Sequence, residues 1–317
     1  MRLRRVLVYA VFVSIVLAGV VKNRAAEVSK EVRKGDWTIS KSDFPGKVEF
    51  SLIEHRHDGQ SSHESAWPAS SFEGVDFSKP GRQEIHFVIT RDAGKLDCEG
   101  FLVDGEGAGL FHFQPDANYP RVMKSLVFDV DEEKQFGMAV QDVSLAFAKE
   151  MKGEHLSDLD TDKLIAFRIF RVDSAFIQAL RAEGLKTSDS DKLVAFRIHG
   201  VSPEMVRSLH QAGYSPDEDT LIALRIHGAT PEFMEQMKKR GYDHLDLEKM
   251  IAFRIHGVSP EFIDKLQALG YKHPDPDELI AMRIHNVTPE YISDMRGRGI
   301  PDLSIDKLVS MRIHGID

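Results

Sequence analysis

The sequence predicts an α+β, multidomain chain: a small antiparallel β domain over residues 33–115, followed over 116–317 by an α-solenoid of short helical hairpins with a period of about 29 residues. Three observations predict it. Apolar residues alternate with period two from about residue 36 to 115. Beyond that point the arginine of "IAFRIHG" recurs at Arg168, Arg197, Arg225, Arg254, Arg283 and Arg312, spaced 29, 28, 29, 29 and 29 residues apart. A second series, Leu185, Tyr214, Tyr242, Tyr271 and Ile300, keeps the same step, each residue following a glycine. Two coincident registers define a repeat array.

The N-terminus carries an address. "MRLRR" precedes "VLVYAVFVSIVLAGVV", sixteen residues without a charge, and residues 1–26 read as a signal peptide or an N-terminal signal anchor. Cleavage after Ala18 is one outcome; the other is an uncleaved membrane anchor whose Arg2, Arg4 and Arg5 hold the N-terminus inside. Either way the remainder is expected to be extracytoplasmic, as a periplasmic protein or one anchored in the inner membrane and facing the periplasm.

In the β region "KVEFSL" places Val48, Phe50 and Leu52 on one face, "EIHFVIT" does the same with Ile85, Phe87 and Ile89, and "LFHF" with Phe111 and Phe113. Turn signals separate these strands: "HDGQ" at 57–60, "DAG" at 92–94 and "DGEGAG" at 104–109. Five or six strands are expected. His55, His57, His63, His86 and His112 fall in this region, but a zinc site needs three or four converging ligands, and no compact spacing joins them, so they read as surface histidines.

Each repeat reads as two short helices, a leading one and a trailing one. In "SPEFIDKLQALGY" Ser259 caps the leading helix, Pro260 opens its first turn, Glu261 suits its positive end, and Gly270 supplies the left-handed stop before Tyr271. In "DPDELIAMRIHN" Asp275 caps the trailing helix, and Asn286 stands where other copies have Gly200, Gly228 and Gly257. Asn also tolerates the left-handed conformation, so the position is a backbone stop. Residues 138–151 align with 167–180 as a degenerate end repeat, "DANYPRVMKSLVF" at 116–128 is a lone leading helix, and "MRIHGID" ends the chain as a lone trailing helix. The unit is therefore leading then trailing, seven times.

Charge and motifs exclude several functions. Net charge of −9 argues against nucleic acid as a partner, and the single Cys98 rules out an internal disulfide. H-E-x-x-H, G-x-S-x-G and the phosphate-binding glycine loops are all missing. No cofactor is expected.

The repeated His and Arg invite a chemical reading, yet catalysis needs one asymmetric pocket, and an array presents the same groups in near-equivalent settings. His199, His227, His256, His285 and His314 close the trailing helices, where the dipole favours a cation and a ring nitrogen can reach the last carbonyls. The arginines, flanked by apolar residues, need carboxylate or carbonyl partners and are expected to form an internal ladder pinning repeat to repeat, with Glu204, Glu232, Glu261 and Glu290, one per leading helix, as the candidate partners. The other reading exposes the Arg and His residues as a binding stripe for an acidic partner.

"LIALRIHGATPEF", residues 221–233, resembles the tandem helical repeats of exported and membrane-anchored bacterial proteins, including the tails of some membrane metallopeptidases of the beta-lactam-sensor type. "ITRDAGKLDCEGFLVDGEGAGLFHF", 89–113, is similar to the segment that often precedes such repeats. The peptidase part is absent here. The resemblance implies an envelope location and a binding role, so the expected function is a non-enzymatic extracytoplasmic protein-interaction module, a scaffold or adaptor with a protein partner. The competing expectation is an envelope sensor or regulatory protein whose β domain binds a small ligand or metal.

Overall fold

The computed structural model describes residues 33–56, 59–243, 245–300 and 303–316; for 55, 56 and 59–61 it describes the main chain alone. The N-terminal apolar segment, His57 and the side chain of His55 lie outside the described residues. Six strands, β1 (Arg33–Lys41), β2 (Lys47–Arg56), β3 (Gly59–Pro68), β4 (Arg82–Arg91), β5 (Gly94–Val103) and β6 (Glu106–Pro115), form one sheet in the order β3-β2-β1-β6-β5-β4. Every neighbouring pair is antiparallel, so two three-stranded meanders meet at β1 and β6. The period-two alternation sends Trp37, Ile39, Phe50, Leu52, Phe87 and Phe111 to one buried face.

The segment "DGEGAG" divides differently from its reading as a turn. Only Asp104 (φ 52°) and Gly105 (φ 86°) make the two-residue hairpin turn, whose paired left-handed residues match the strand twist. Gly107 and Gly109 lie inside β6, and Gly109 faces Gly100 of β5. The reason is Trp37, whose indole crosses this glycine pair: a Cβ at Gly100 or Gly109 would stand 2.6 or 2.7 Å from its ring. The indole N–H donates to the Glu99 carbonyl at 3.2 Å.

Fourteen helices follow among the described residues. The leading helices are α1 (Tyr119–Ser125), α3 (Leu145–Gly153), α5 (Ser174–Ala182), α7 (Pro203–Gln211), α9 (Pro231–Lys238), α11 (Pro260–Ala268) and α13 (Pro289–Gly297). The trailing helices are α2 (Glu132–Val140), α4 (Thr161–Phe170), α6 (Ser190–His199), α8 (Glu218–His227), α10 (Leu247–His256), α12 (Pro276–Ile284) and α14 (Ile305–Ile313). Trailing helices pack on one another in sequence from α2 to α14, and leading helices likewise pair with leading helices, as α5 with α7 and α7 with α9. The result is a two-layered solenoid.

The caps explain the boundaries. Asp160, Asp189, Asp217 and Asp246 each accept the N3 amide of a trailing helix, and Ser202, Thr230, Ser259 and Thr288 do so for leading helices that open on proline. The trailing stops are left-handed at Gly200, Gly228, Gly257 and, as expected, Asn286 (φ 55°). In the degenerate first unit Asp142 (φ 54°) occupies that position.

Sheet and array share a core. Phe136 of α2 stacks on Phe111 at 5.9 Å and meets Phe113 edge-on at 5.2 Å. The β4–β5 turn docks onto the first helices: Asp92 accepts the Leu145 amide at 2.8 Å, and Gln135 donates to the Ala93 carbonyl at 2.8 Å.

The tyrosine series also has a geometric meaning. Tyr214, Tyr242 and Tyr271 donate their hydroxyls to the carbonyls of Leu245, Pro274 and Leu303, each the residue before the cap of the next unit's trailing helix. Each bond ties one repeat to its successor. Ile300 stands in the last unit of the array, which has no successor among the described residues. Burial pushes the Tyr242 phenol up to about 12, so its stabilisation is complete below the ordinary value of 10.0 and lost as pH rises towards 12. Tyr242→Phe is expected to cost about 1 kcal/mol in urea unfolding at neutral pH, and to flatten the fall in stability that the native chain shows on the alkaline side.

Candidate interaction surface

The repeat arginine is a clip between units. Nε donates to the last-turn carbonyl of the preceding trailing helix: Arg168 to Gln141 (3.1 Å), Arg225 to His199 (3.0 Å), Arg254 to His227 (3.3 Å), Arg283 to His256 (3.2 Å) and Arg312 to His285 (3.4 Å). Such carbonyls have no partner within their own helix, and a guanidinium there opposes the negative helix end. The same group lies over an aromatic ring of its own leading helix: Arg168 over Phe147, Arg197 over Phe176, Arg254 over Phe233, Arg283 over Phe262 and Arg312 over Tyr291. Arg225 has Met205 at the corresponding place.

The stop glycine is part of the same device. A Cβ at Gly200, Gly228 or Gly257 would come within 2.8, 3.1 or 3.0 Å of Nη2 of the next unit's arginine. Glycine therefore answers two needs, the left-handed backbone and the close guanidinium. Arg197 departs from the pattern: it follows α4, whose stop is Arg171, its Nε has no protein partner, and its guanidinium sits 3.7 Å over Phe176.

The ladder does join repeat to repeat, but this geometry corrects its expected burial and its candidate partners. The arginines are half-exposed or exposed, and the Nε acceptors of all but Arg197 are main-chain carbonyls, not Glu204, Glu232, Glu261 and Glu290. Those glutamates serve the leading helices' first turns. Hydrogen bonds from its own backbone amide and then the Ser202 hydroxyl hold Glu204 below the usual carboxylate range, and Glu261 is held there in the same way with Ser259; Glu290 pairs with Lys265 at 3.2 Å. The histidines are corrected too. It is the carbonyls of His199, His227, His256 and His285 that take part; these four rings and that of His314 make no hydrogen bond among the described residues. Because no buried charge is orphaned, Arg254→Ala is expected to cost about 1–2 kcal/mol, a charged hydrogen bond and a ring contact at a half-open site, read by urea unfolding.

Directly after each repeat arginine stands an isoleucine that sequence reasoning missed. Ile169, Ile198, Ile226, Ile255, Ile284 and Ile313 are 50–57% exposed in six successive trailing helices. In α10 the core face is Met250 and Phe253, Ile251 and Ala252 are partly buried at its margins, and Ile255 is exposed. The signal lay in the surplus of apolar residues: Ile169 follows buried Leu164 by five positions, about 140° round the helix, too far to share its face. Side by side, the trailing helices present one long apolar face.

Other clusters are occupied structurally. Asp158, Asp189 and Asp191 bring carboxylate oxygens within 4.8 Å of one another. Asp158 accepts the Ser190 amide, Asp189 caps α6, and Asp191 pairs with Lys163. The last pairing recurs as Lys134–Asp162, Lys192–Asp219 and Lys249–Asp277. On the open face of the sheet His86 pairs with Asp97 at 2.7 Å and Arg82 lies over Phe101, while His63 meets Phe136 edge-on. Cys98 is buried in the sheet, and burial pushes its thiol far up. No helix among the described residues is long and apolar enough to cross a membrane. Comparison with protein-family models, curated proteins and solved structures yields no match to this chain.

Proposed function

We propose that the chain is a non-enzymatic protein-interaction module of the bacterial envelope, carried out of the cytoplasm by residues 1–26, that binds through the outer face of its trailing helices. The observation that carries this reading is the row of six exposed isoleucines, one in each of the last six repeats, on helices whose other apolar face is already buried. Contiguous exposed apolar surface of this extent is costly unless something covers it. The repeated setting supports binding over catalysis, since it offers many equivalent contacts and no single perturbed pocket. The likeness to repeats of exported bacterial proteins supports the envelope location.

The test is capture from a solubilised envelope fraction with tagged full chain. Ile226→Asp with Ile255→Asp is expected to abolish capture, whereas Phe101→Ser with Leu110→Ser, on the open face of the sheet, leaves it intact. The opposite pattern would move the binding site to the β domain and support a sensor role.

A further inference from the structure

We propose that the face of the trailing helices docks a second copy of this chain, the two arrays lying face to face about a two-fold axis parallel to the stack. This rests on the reading of that face as the binding surface and names its occupant. Three observations lead to it.

The first is charge polarity across the apolar strip. At the N-terminal ends of α4, α6, α8, α10, α12 and α14, caps and first turns hold thirteen carboxylates and four lysines. Their last turns hold six arginines and no carboxylate. An acid stands seven residues before each exposed isoleucine, two turns back on the same side: Asp162, Asp191, Asp219, Glu248, Asp277 and Asp306. A face that is acidic along one edge, apolar in the middle and basic along the other is its own complement. Rotation about the stack axis sets acidic edge on basic edge, and equivalent helices antiparallel, with their dipoles opposed.

The second is period. Six isoleucines on helices stacked about 8–10 Å apart make a regular comb, and another copy repeats that spacing without mismatch, each unit meeting its equivalent. The third is size. Helices of 9 or 10 residues, about 15 Å long at the standard rise, make across six units a face of roughly 700–900 Å², near the roughly 800 Å² per partner of a standard stable interface.

Disulfide trapping tests this on the full chain. Ala252 and Ala281 lie mid-helix in α10 and α12, close to the proposed axis, so each would face its own equivalent. Cys98, the one native thiol, is buried. Ala252→Cys and Ala281→Cys, each alone, are expected to give a covalent dimer under mild oxidation, with the parent chain giving none. Adding Ile226→Asp and Ile255→Asp should reduce the dimer by about tenfold or more, as loss of two central anchors does, with helical circular dichroism unchanged. Absence of the dimer from both cysteine variants, or a dimer that survives the isoleucine changes, overturns the proposal. If trapping fails while those isoleucine changes still abolish capture from the envelope fraction, the face serves a different protein and the interaction-module reading stands. If neither responds, both fall.

Discussion

Gly109→Ala is expected to destabilise the sheet by about 3 kcal/mol or more, at the upper end of overpacking effects. The added Cβ would lie 2.0 Å from the Glu99 carbonyl oxygen and 2.7 Å from the Trp37 ring. Neither neighbour can retreat cheaply: the carbonyl belongs to the interior strand β5 and accepts the indole N–H, and Trp37 is fully buried beside Phe87. Either the indole leaves its seat or β5 and β6 part. Gly153→Ala is the control, since its Cβ would meet nothing within 4 Å and it sits in α3, where alanine gains up to about 1 kcal/mol. Urea unfolding of the two variants should move in opposite directions; similar shifts would mean that Trp37 does not lie across the glycine pair.

Gly257→Val is expected to cost about 2–4 kcal/mol, from two sources that reinforce each other. At φ 72° an L side chain meets the following carbonyl, and β-branching worsens the clash. Its Cβ also lies 3.0 Å from Nη2 of Arg283, so the clip to the next repeat is displaced. Asn286→Gly, at the matching position of the next unit, keeps a permissive backbone and should change stability by less than about 0.5 kcal/mol. Equal melting shifts for the two would defeat the account of the stop position.

How much of this was legible beforehand follows from what each feature depends on. Strand alternation, caps and left-handed stops are local, and local rules located them: Asp104–Gly105, Asp275, Ser259 and Asn286 behave as their residue types require. The array was legible because repetition multiplies a weak signal. The arginine's acceptor was legible only as a choice between carboxylate and carbonyl. Sequence shows side chains, and a carboxylate such as Glu261 is the visible partner for a guanidinium; the last carbonyl of a neighbouring helix carries no letter of its own. Gly100 and Gly109 were hidden for a similar reason, because their need arises from Trp37 on a strand distant in sequence. The exposed isoleucines were missed because an apolar residue in a helix reads as core until the helix proves to have more of them than one face can bury.

Adjacent residues of one motif give the most direct test of the central claim, that the repeat spends its arginine on holding units together and leaves its isoleucine for a partner. Arg254→Ala and Ile255→Asp are compared by urea unfolding in dilute solution, where mass action removes any stabilisation from association. The account predicts a loss of about 1–2 kcal/mol for Arg254→Ala and a change within about 0.5 kcal/mol for Ile255→Asp, whose side chain is already in solvent. A loss of several kcal/mol for Ile255→Asp, with Arg254→Ala near neutral, would mean that the isoleucine is core and the arginine free, and would contradict the account.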